Sequence, residues 1–436
     1  MNARSTATGA VFDAQRDMTE TERRENAMRA FVRDFGMVAA SYLESCVRCG
    51  MCASACHFYI QTGDPKYTPI HKIRPFEQAY HRHVGPFAPL FRLFGIAPRV
   101  TVEKLEEWQQ LLFDACNMCG RCTLACPMGI DIAELVKEAR HGMFMAGLVP
   151  DRLELMDRTT RKWGSPATPA DDFADIIREA GETFGVPVNV DLPKADYLVT
   201  VAPAELSDHP KALTDIAKIL NKMGASWTYS SNGFEASNIG FLNGDIELQE
   251  KMTRQIINAA AGIGAHTLIL PECGHAYSAA RWEAARWYGG KQPPVRIIHM
   301  MEFLAEVIAE GKIKVKPIGS TASLHDPCQV VRRGGLKDEP RDVLRALGVE
   351  IKELKDHGAF SYCCGGGGGV VSNSRADPLR YRAFELKRRQ VEDAGAEHFV
   401  TACGQCRITL TLGAKHYKWD KTVESLLELV AGNLAE

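Results

Sequence analysis

The sequence lacks an excess of charge of either sign, and it lacks a long apolar run. Its 52 lysines and arginines nearly balance its 54 aspartates and glutamates, so the formal net charge is -2. A chain this close to neutral has no general attraction to nucleic acid or to an anionic bilayer. The most apolar stretch, residues 86–98, is interrupted by Arg92 and three prolines. It is too short to span a membrane, which takes about 20 residues.

A secretion signal and a nucleotide-binding motif are also lacking. Residues 1–33 are polar and contain no apolar segment of the signal-peptide kind, so we expect a cytoplasmic protein without a transmembrane segment of its own. The five consecutive glycines Gly365–Gly369 do not form the G-x-G-x-x-G pattern of dinucleotide sites. Because no flavin or nicotinamide site is expected, a partner protein must supply any such two-electron carrier that the chain works with.

The cysteines are informative because thirteen of the fourteen fall into three ordered groups. The first two groups repeat the C-x₂-C-x₂-C-x₃-C pattern that wraps a [4Fe–4S] cluster, and in paired runs the fourth cysteine of one run binds the other cluster. The spacing therefore predicts two cubane [4Fe–4S] clusters. One is held by Cys46, Cys49, Cys52 and Cys126, and the other by Cys116, Cys119, Cys122 and Cys56.

Zinc sites are the alternative for these two runs, since four thiolates also suit zinc. Zinc loops usually carry separated C-x₂-C pairs, whereas each run here places four cysteines within eleven residues, and Pro127 follows the second run. This pattern favours clusters. His57 takes the place of that proline after the first run, and we expect it to be a hydrogen-bonded loop histidine rather than a ligand.

The order of sequence patterns predicts an α-helical N-terminal half followed by α/β units. Residues 19–43 have helical spacing and a capping-box pattern at Thr19 and Glu22. The domain with the two clusters is expected over residues 1–150 and a linker over residues 151–190. Beyond residue 190, short β-branched runs alternate with helices, which predicts parallel strands. The predicted strands are 197–201, 267–270, 322–324 and 399–401.

An internal repeat indicates that the α/β half contains two copies of one domain, at residues 191–315 and 316–436. Sliding the chain by 124 positions, and by six more after a loop insertion, pairs Val201 with His325, Ala204 with Cys328, Cys273 with Cys403 and Ala276 with Cys406. The first copy thus keeps one of five cysteine positions, and we expect it to be degenerate. Cys273 is then either a buried thiol or a residue lining the remaining site.

The third group of cysteines lies in the second copy, and its members are Cys328, Cys363, Cys364, Cys403 and Cys406. Two adjacent cysteines do not both enter an ordinary four-ligand tetrahedron comfortably, so five thiolates from three loops suggest an unusual metal centre. The glycines after the adjacent pair would let the backbone pack directly against such a centre. A flexible turn with buried structural thiols is the alternative.

These motifs resemble the cysteine-rich (CCG) domain family, and their combination with a twin-cluster ferredoxin module resembles the D-type subunit of heterodisulfide reductase. The resemblance runs from about Cys46 to Cys406 and extends to subunits of sulfite-reductase-linked membrane complexes and of sulfur-oxidising complexes. It implies an α-helical twin [4Fe–4S] ferredoxin domain followed by two tandem α/β CCG domains, the first degenerate. It also implies a noncubane [4Fe–4S] cluster held by Cys328, Cys363, Cys364, Cys403 and Cys406.

The resemblance further implies an oxidoreductase subunit that reduces or oxidises a disulfide or thiol in sulfur energy metabolism. The expected partners are other subunits of the complex, with flavin or a membrane cytochrome, through which the chain could lie at the inner membrane face. The expected substrate is a disulfide or thiol, which a small sulfur-carrier protein could present. His325, three residues before Cys328, is the favoured proton donor, and His275 and His357 are alternatives. Each is equally consistent with a structural histidine.

Two other functions remain open. The chain could be an electron-transfer subunit of a flavin-dependent glycolate or lactate dehydrogenase, although such relatives usually keep both cysteine-rich copies intact. The C-terminal half could instead be a docking scaffold with a positive helix face, or that face could simply be solvated. The residues of that face are Arg380, Arg382, Lys387, Arg388 and Arg389, after a helix start at Asp377 and Pro378.

Overall fold

The computed structural model describes residues 10–34, 36–96 and 99–435. The expectation that the N-terminus lacks a secretion signal concerns in part residues 1–9, and the interrupted apolar stretch ends at residues 97 and 98; these lie outside the described residues. The predicted fold class is confirmed: helices dominate, and two small parallel sheets follow in the second half. No described helix combines the length and apolar composition needed to cross a membrane.

The described residues form two compact units. The first contains the chain up to Arg158 together with Gly240–Ile246 and Gly365–Leu386, and the second contains the rest. In the described part of the chain before residue 150, the α-helices are α1 (Ala10–Arg16), α2 (Glu20–Arg29), α3 (Gly36–Ser45), α4 (His57–Thr62), α5 (Pro69–Lys72), α6 (Arg74–His83), α7 (Ala88–Leu93), α8 (Val102–Phe113), α9 (Arg121–Leu124) and α10 (Ile132–Met145).

The first unit packs around α10, most of which is buried. Asp131 caps this helix by accepting a hydrogen bond from the Glu134 N–H at 3.0 Å. Gly142 lies on its buried face, where a side chain would run into the ring of Phe31. The close approach of the two segments therefore requires glycine at that position.

The helix predicted over residues 19–43 is present as two helices with a π-helical turn between them. Thr19 and Glu22 form the predicted capping box at the start of α2. The π-helical turn covers Ala30–Asp34, and α3 continues to Ser45, directly before the first cysteine run. Residue 35 lies outside the described residues.

Thirteen further helices follow: α11 (Asp151–Trp163), α12 (Ala170–Phe184), α13 (Pro203–Ser207), α14 (Lys211–Lys222), α15 (Ile239–Asn243), α16 (Ile246–Gly262), α17 (Gly274–Tyr277), α18 (Ala284–Trp287), α19 (Met300–Ala309), α20 (Glu339–Ala346), α21 (Asp377–Ala394), α22 (Gly404–Tyr417) and α23 (Leu426–Gly432). The strands are β1 (Tyr197–Val199), β2 (Trp227–Thr228), β3 (Thr267–Leu270), β4 (Arg296–His299), β5 (Thr321–His325), β6 (Glu350–Ile351), β7 (His398–Thr401) and β8 (Glu424–Ser425).

The two sheets have the same topology, as expected of two copies of one domain. Their strand orders are β2-β1-β3-β4 and β6-β5-β7-β8, and all neighbours are parallel. All four strands predicted from the sequence are present, as β1, β3, β5 and β7. One hydrophobic core includes Val199 of the first sheet and Leu324 of the second. The copies are thus packed on each other within one unit, and the cysteine-bearing loops follow the strand ends.

Two expectations about polar segments differ from the structure. Residues 151–190, predicted to be a linker, contain α11 and α12. The composition of this segment is mostly polar, but some of its apolar residues, such as Leu153 and Phe173, are fully buried. The basic face predicted on α21 is also partly internal, since Arg380 and Lys387 are each 1% exposed. Arg380 donates to Asp377 at 2.8 Å, so a local carboxylate balances its charge.

Candidate metal centres

The two N-terminal cysteine runs adopt matching backbone conformations. Arg48 in the first run and Met118 in the second both have a positive φ, at 53° and 51°. The glycine two residues later also has a positive φ in each run. Non-glycine residues rarely adopt this conformation, and where they do the surrounding structure holds them there. The repeated spacing therefore produces two repeated loops.

Two cavities lie beside these loops, and four cysteines line each of them. Cys46, Cys49, Cys52 and Cys126 line the first cavity. Cys56, Cys116, Cys119 and Cys122 line the second. In each cavity the fourth cysteine comes from the other run, which is the exchange that the spacing predicts.

The chemistry of these thiols fits a soft cation. None of the fourteen cysteines forms a disulfide bond. Burial, together with the neighbouring thiols, raises the pKa of Cys122 well above its ordinary value. A buried thiol such as Cys122 keeps its proton unless a bound metal takes up the negative charge of the thiolate. The residues present therefore fit a thiolate-bound cluster in each cavity.

Lys72 is a buried cation at the second cavity that sequence reasoning missed. It is 3% exposed, and its Nζ lies 3.4 Å from Cys56 Sγ. Burial alone would lower the pKa of Lys72, but the charges of Cys56, Cys116 and Cys122 outweigh it and raise the pKa. The second cavity therefore has a positive charge directed at its thiols.

His57 and Asn117 connect the second cavity to the glycine run, and His57 is hydrogen-bonded as predicted. His57 Nε2 lies 2.9 Å from Asn117 Oδ1. The Asn117 amide donates to the backbone oxygens of Gly365 and Gly367, at 2.8 and 3.0 Å. Gly365 directly follows Cys364 in the chain, so the loop after Cys116 is bonded to the residue next to a cysteine of the third group.

The glycine run is needed for this close approach. A side chain at Gly368 would meet the backbone of Asn117 at 3.1 Å and the backbone oxygen of Cys116 at 3.2 Å. The φ of Gly368 is also positive, at 63°. Both observations require glycine there, which agrees with the prediction that backbone packs tightly beside the cysteine pair.

Arg140 holds the same region together and was not predicted from the sequence. Its guanidinium is fully buried on α10 and donates hydrogen bonds only to backbone oxygens among those described: Leu112, Cys116, Leu242 and Gly368, at 2.6 to 3.2 Å. Burial lowers its pKa to about 10, so the side chain stays charged at neutral pH. An arginine on the apolar face of a predicted helix is the sequence signal that could have indicated this role.

The five cysteines of the third group are all buried in the second unit. Cys328 Sγ lies 3.8 Å from Cys363 Sγ. Cys403 caps α22, and its Sγ accepts the Cys406 N–H at 3.4 Å. Cys406 and Cys364 belong to a cluster of three donor atoms within 4.8 Å of one another, and His325 is its third member. Each of the five cysteines is therefore close to at least one other cysteine of the group.

A buried ion pair fixes the loops that carry these cysteines. Asp326, between His325 and Cys328, accepts from Arg341 at 2.8 Å and from the Gly358 N–H at 2.6 Å. Lys387 donates to Ser361 at 3.2 Å, and burial lowers its pKa to about 8 although nearby Cys363 and Cys364 oppose this. A buried ammonium beside two thiols is a second cation that the sequence did not reveal.

The three histidines considered as proton donors have different surroundings. His325 is completely buried, and burial, together with the charge of Lys387, lowers its pKa well below the ordinary value. A neutral imidazole of this kind is poorly suited to delivering a proton. His357 Nδ1 lies 2.8 Å from the Leu354 backbone oxygen, as in a structural histidine. His275 is buried in α17.

The degenerate copy contains buried acids next to the positions that carry thiols in the second copy. Cys273 is buried, and burial raises its pKa far above the ordinary range, so it is a protonated thiol. Burial also raises the pKa of Glu205, next to Ala204, to about 8, and that of Glu272 to about 7. Glu272 accepts hydrogen bonds from Ser425 and from the Leu427 N–H, at 2.7 and 3.1 Å. This surrounding offers one thiol rather than a set of five.

Comparison with known families finds two modules in the chain. Residues 42–130 match the 4Fe-4S dicluster domain, and residues 322–411 match the Cysteine-rich domain. Both cysteine tetrads lie within the first match and the third group within the second. These matches support bound [4Fe–4S] clusters.

Curated relatives are similar over most of the chain. The Hdr-like menaquinol oxidoreductase iron-sulfur subunit of Archaeoglobus profundus is 26% identical over 90% of this chain and 79% of its own length. The D-type subunit of the dihydromethanophenazine:CoB–CoM heterodisulfide reductase of Methanosarcina barkeri is 28% identical over 89% of this chain and 93% of its own length. The EtfAB:quinone oxidoreductase of Syntrophomonas wolfei is 26% identical over 88% of this chain, which spans 57% of that protein.

A solved structure supports the fold alone. The crystal structure of a hypothetical protein from Helicobacter pylori superposes with a TM-score of 0.50 at 14% identity, covering 87% of this chain and 75% of that one.

Proposed function

We propose that the chain is an iron–sulfur subunit of the heterodisulfide reductase D type, and that it relays electrons between a partner protein and a sulfur substrate at the C-terminal cysteines. The relay would use two cubane clusters, in the cavities of the two N-terminal runs, and one noncubane cluster held by the third group. The substrate is a disulfide, or in the reverse direction a pair of thiols. Reduction of one disulfide consumes two electrons and two protons and yields two thiols.

One contact carries this proposal: the hydrogen bond from Asn117 to Gly365 at 2.8 Å. Asn117 follows Cys116 of the second cavity, and Gly365 follows Cys364 of the third group. The hydrogen bond therefore ties the loop of the second cavity to the glycine that directly follows Cys364 in the chain, and this connection supports a relay.

Two buried lysines of the chain place positive charge near the thiols, which favours the negative charge that an electron brings. Lys72 lies at Cys56 and Lys387 lies near Cys363 and Cys364. In a buried site of low dielectric constant, a fixed positive charge stabilises thiolate and a reduced centre more than it would in water. Bound clusters supply one-electron steps, which two cubanes and a multi-iron end point can combine into the two electrons that a disulfide needs.

The relatives support a proposal about partners and location. Because the relatives are named as subunits of menaquinol oxidoreductase and heterodisulfide reductase, this chain is proposed to work in a complex with a flavin or membrane cytochrome subunit. The proposed location is the cytoplasmic face of a membrane, reached through those partners. A small sulfur-carrier protein is one proposed source of the substrate.

Iron content and magnetic resonance test the proposal. The full chain, purified without oxygen, should contain about twelve iron atoms, four for each of three clusters. Treatment of the oxidised protein with dithiothreitol should produce a paramagnetic signal distinct from those of the cubanes. Cys363→Ala and Cys364→Ala should lose this signal and the viologen-dependent reduction of glutathione disulfide or cystine, while the reduced-cubane signals persist. Retained disulfide reduction in both variants would refute the assignment.

The similarity to an EtfAB:quinone oxidoreductase favours a second candidate, an electron-transfer subunit that serves a flavin-dependent dehydrogenase. In that case neither the wild-type chain nor the two cysteine variants would reduce a disulfide. Electron transfer from a reduced flavoprotein would then be the activity that the Cys364→Ala substitution removes.

A further inference from the structure

His325 has two unsatisfied ring nitrogens in the protein interior. It is the last residue of β5 and its exposure is 0%. Neither ring nitrogen has a hydrogen-bond partner within the described parts of the chain. A buried polar group without a partner destabilises the folded state. The fold thus keeps an imidazole whose partner is something other than the described protein groups.

The imidazole is directed at two of the five thiols. One of its ring nitrogens, Cys364 Sγ and Cys406 Sγ all lie within 4.8 Å of one another, and all three residues are buried. Imidazole nitrogen and thiolate sulfur are ligands that iron accepts. Three donors this close can bind one metal ion after small side-chain movements.

The degenerate copy provides an internal comparison. Val201 occupies the position of His325, while alanines occupy the positions of Cys328 and Cys406. Pro203, by contrast, corresponds to Pro327 and is unchanged. The histidine has therefore been replaced together with the thiols, whereas the turn residue between them has been kept. This pattern is expected of a ligand and is not expected of a residue that supports the strand end.

The neighbouring acid does not occupy the imidazole. Within the described residues, neither ring nitrogen of His325 has a hydrogen-bond partner, so a lone pair is open to a metal. Asp326, the next residue, is engaged with Arg341 and the Gly358 N–H rather than with the ring.

We propose that His325 is a nitrogen ligand of iron in the C-terminal centre, in addition to the thiols of the third group. The inference rests on the proposed function only in that iron occupies this centre. A neutral imidazole adds no negative charge, so the iron that it binds would remain the one most attractive to a substrate sulfur.

Nitrogen hyperfine spectroscopy tests the proposal. The full chain is labelled with ¹⁵N in histidine only, purified without oxygen, oxidised and treated with dithiothreitol. Electron–nuclear double resonance at the thiol-induced signal should show the coupling of a directly bound ¹⁵N. His299→Ala is the matched control, because His299 is also fully buried and also has an unpartnered ring nitrogen. The coupling should persist in that variant and vanish in His325→Ala.

The outcomes separate this inference from the proposed function. A thiol-induced signal without a bound-nitrogen coupling in the wild-type chain would overturn the ligand and leave the disulfide chemistry standing. Absence of any C-terminal iron would overturn both. If His325→Ala fails to fold, the wild-type measurement still decides, and His325→Cys should restore the iron content without the nitrogen coupling.

Discussion

Lys72 Nζ lies 3.4 Å from Cys56 Sγ at the second cavity. The ammonium is buried and also acts on Cys116 and Cys122, whereas the arginines that line the first cavity, Arg48 and Arg74, are exposed to solvent, which screens their charge. A positive charge stabilises the reduced, more negative form of a cluster. The two cavities should therefore differ in reduction potential, with the second more easily reduced.

Replacing Lys72 with methionine should lower the reduction potential of the second cluster. A unit charge at ~6 Å in an effective dielectric of about 20 is worth roughly 3 kcal/mol, equivalent to roughly 100 mV for one electron. Redox titration monitored by paramagnetic resonance should show a shift of about 50–100 mV in one cubane only. Lys66→Met is the control, since Lys66 is about half exposed beside Asp64. Equal shifts in both variants would contradict the assignment.

The exchange of the fourth cysteine gives a combined test. In Cys126→Ala, the cluster of the first cavity should be lost, and the remaining signal should still shift when Lys72→Met is added. In Cys56→Ala, the second cluster should be lost, and Lys72→Met should leave the remaining potential unchanged. The opposite pairing would show that each run holds its own fourth cysteine.

The parts of this protein that could be predicted from the sequence depend on short spacings. The cavity cysteines, the Thr19 capping box and the strands are specified by residues a few positions apart. Asn117 and Gly365, in contrast, are 248 positions apart, and nothing near either residue indicates the other. The partners of Arg140 and Lys387 are likewise supplied by the fold. Residues 151–190 resemble a linker because they are mostly polar. The packing of α11 and α12 depends on a few buried residues, which composition does not reveal.

Arg140 should be essential for the stability of the first unit. Arg140→Met would leave the four backbone oxygens that it binds without a donor in a buried region. Each such loss costs about 1–3 kcal/mol, so the free energy of unfolding should fall by several kcal/mol. Anaerobic thermal melts should show a large decrease in Tm. Arg178→Met, at an exposed pair with Asp175, should change Tm little.

Glu205 should make the protein less stable as pH rises. Burial, and the neighbouring Glu272 and Glu235, raise its pKa from 4.5 to about 8. Between these values the folded state binds a proton that the unfolded state releases, so stability is full below about pH 4.5 and declines toward pH 8. Each pKa unit corresponds to about 1.4 kcal/mol. Glu205→Gln should flatten the dependence of Tm on pH, while Glu247→Gln, at an exposed position, should not.

Asn117→Asp should slow electron transfer to the C-terminal cysteines without removing either cubane. Aspartate keeps an acceptor for His57, but it cannot donate to the backbone oxygens of Gly365 and Gly367, and its charge would repel them. If the loss of two hydrogen bonds of about 1 kcal/mol each raised the barrier by the full amount, the step would slow roughly thirtyfold.

Rapid mixing of the dithionite-reduced chain with a disulfide that it turns over would measure this rate as reoxidation of the cubane absorbance. Asn26→Asp is the matched control: Asn26, on α2, donates to the sulfur of Met18, which precedes that helix. Its reoxidation rate should equal that of the wild-type chain. A wild-type rate in Asn117→Asp would mean that electrons reach the third group by a route that does not depend on the contact between the loop after Cys116 and the glycine run.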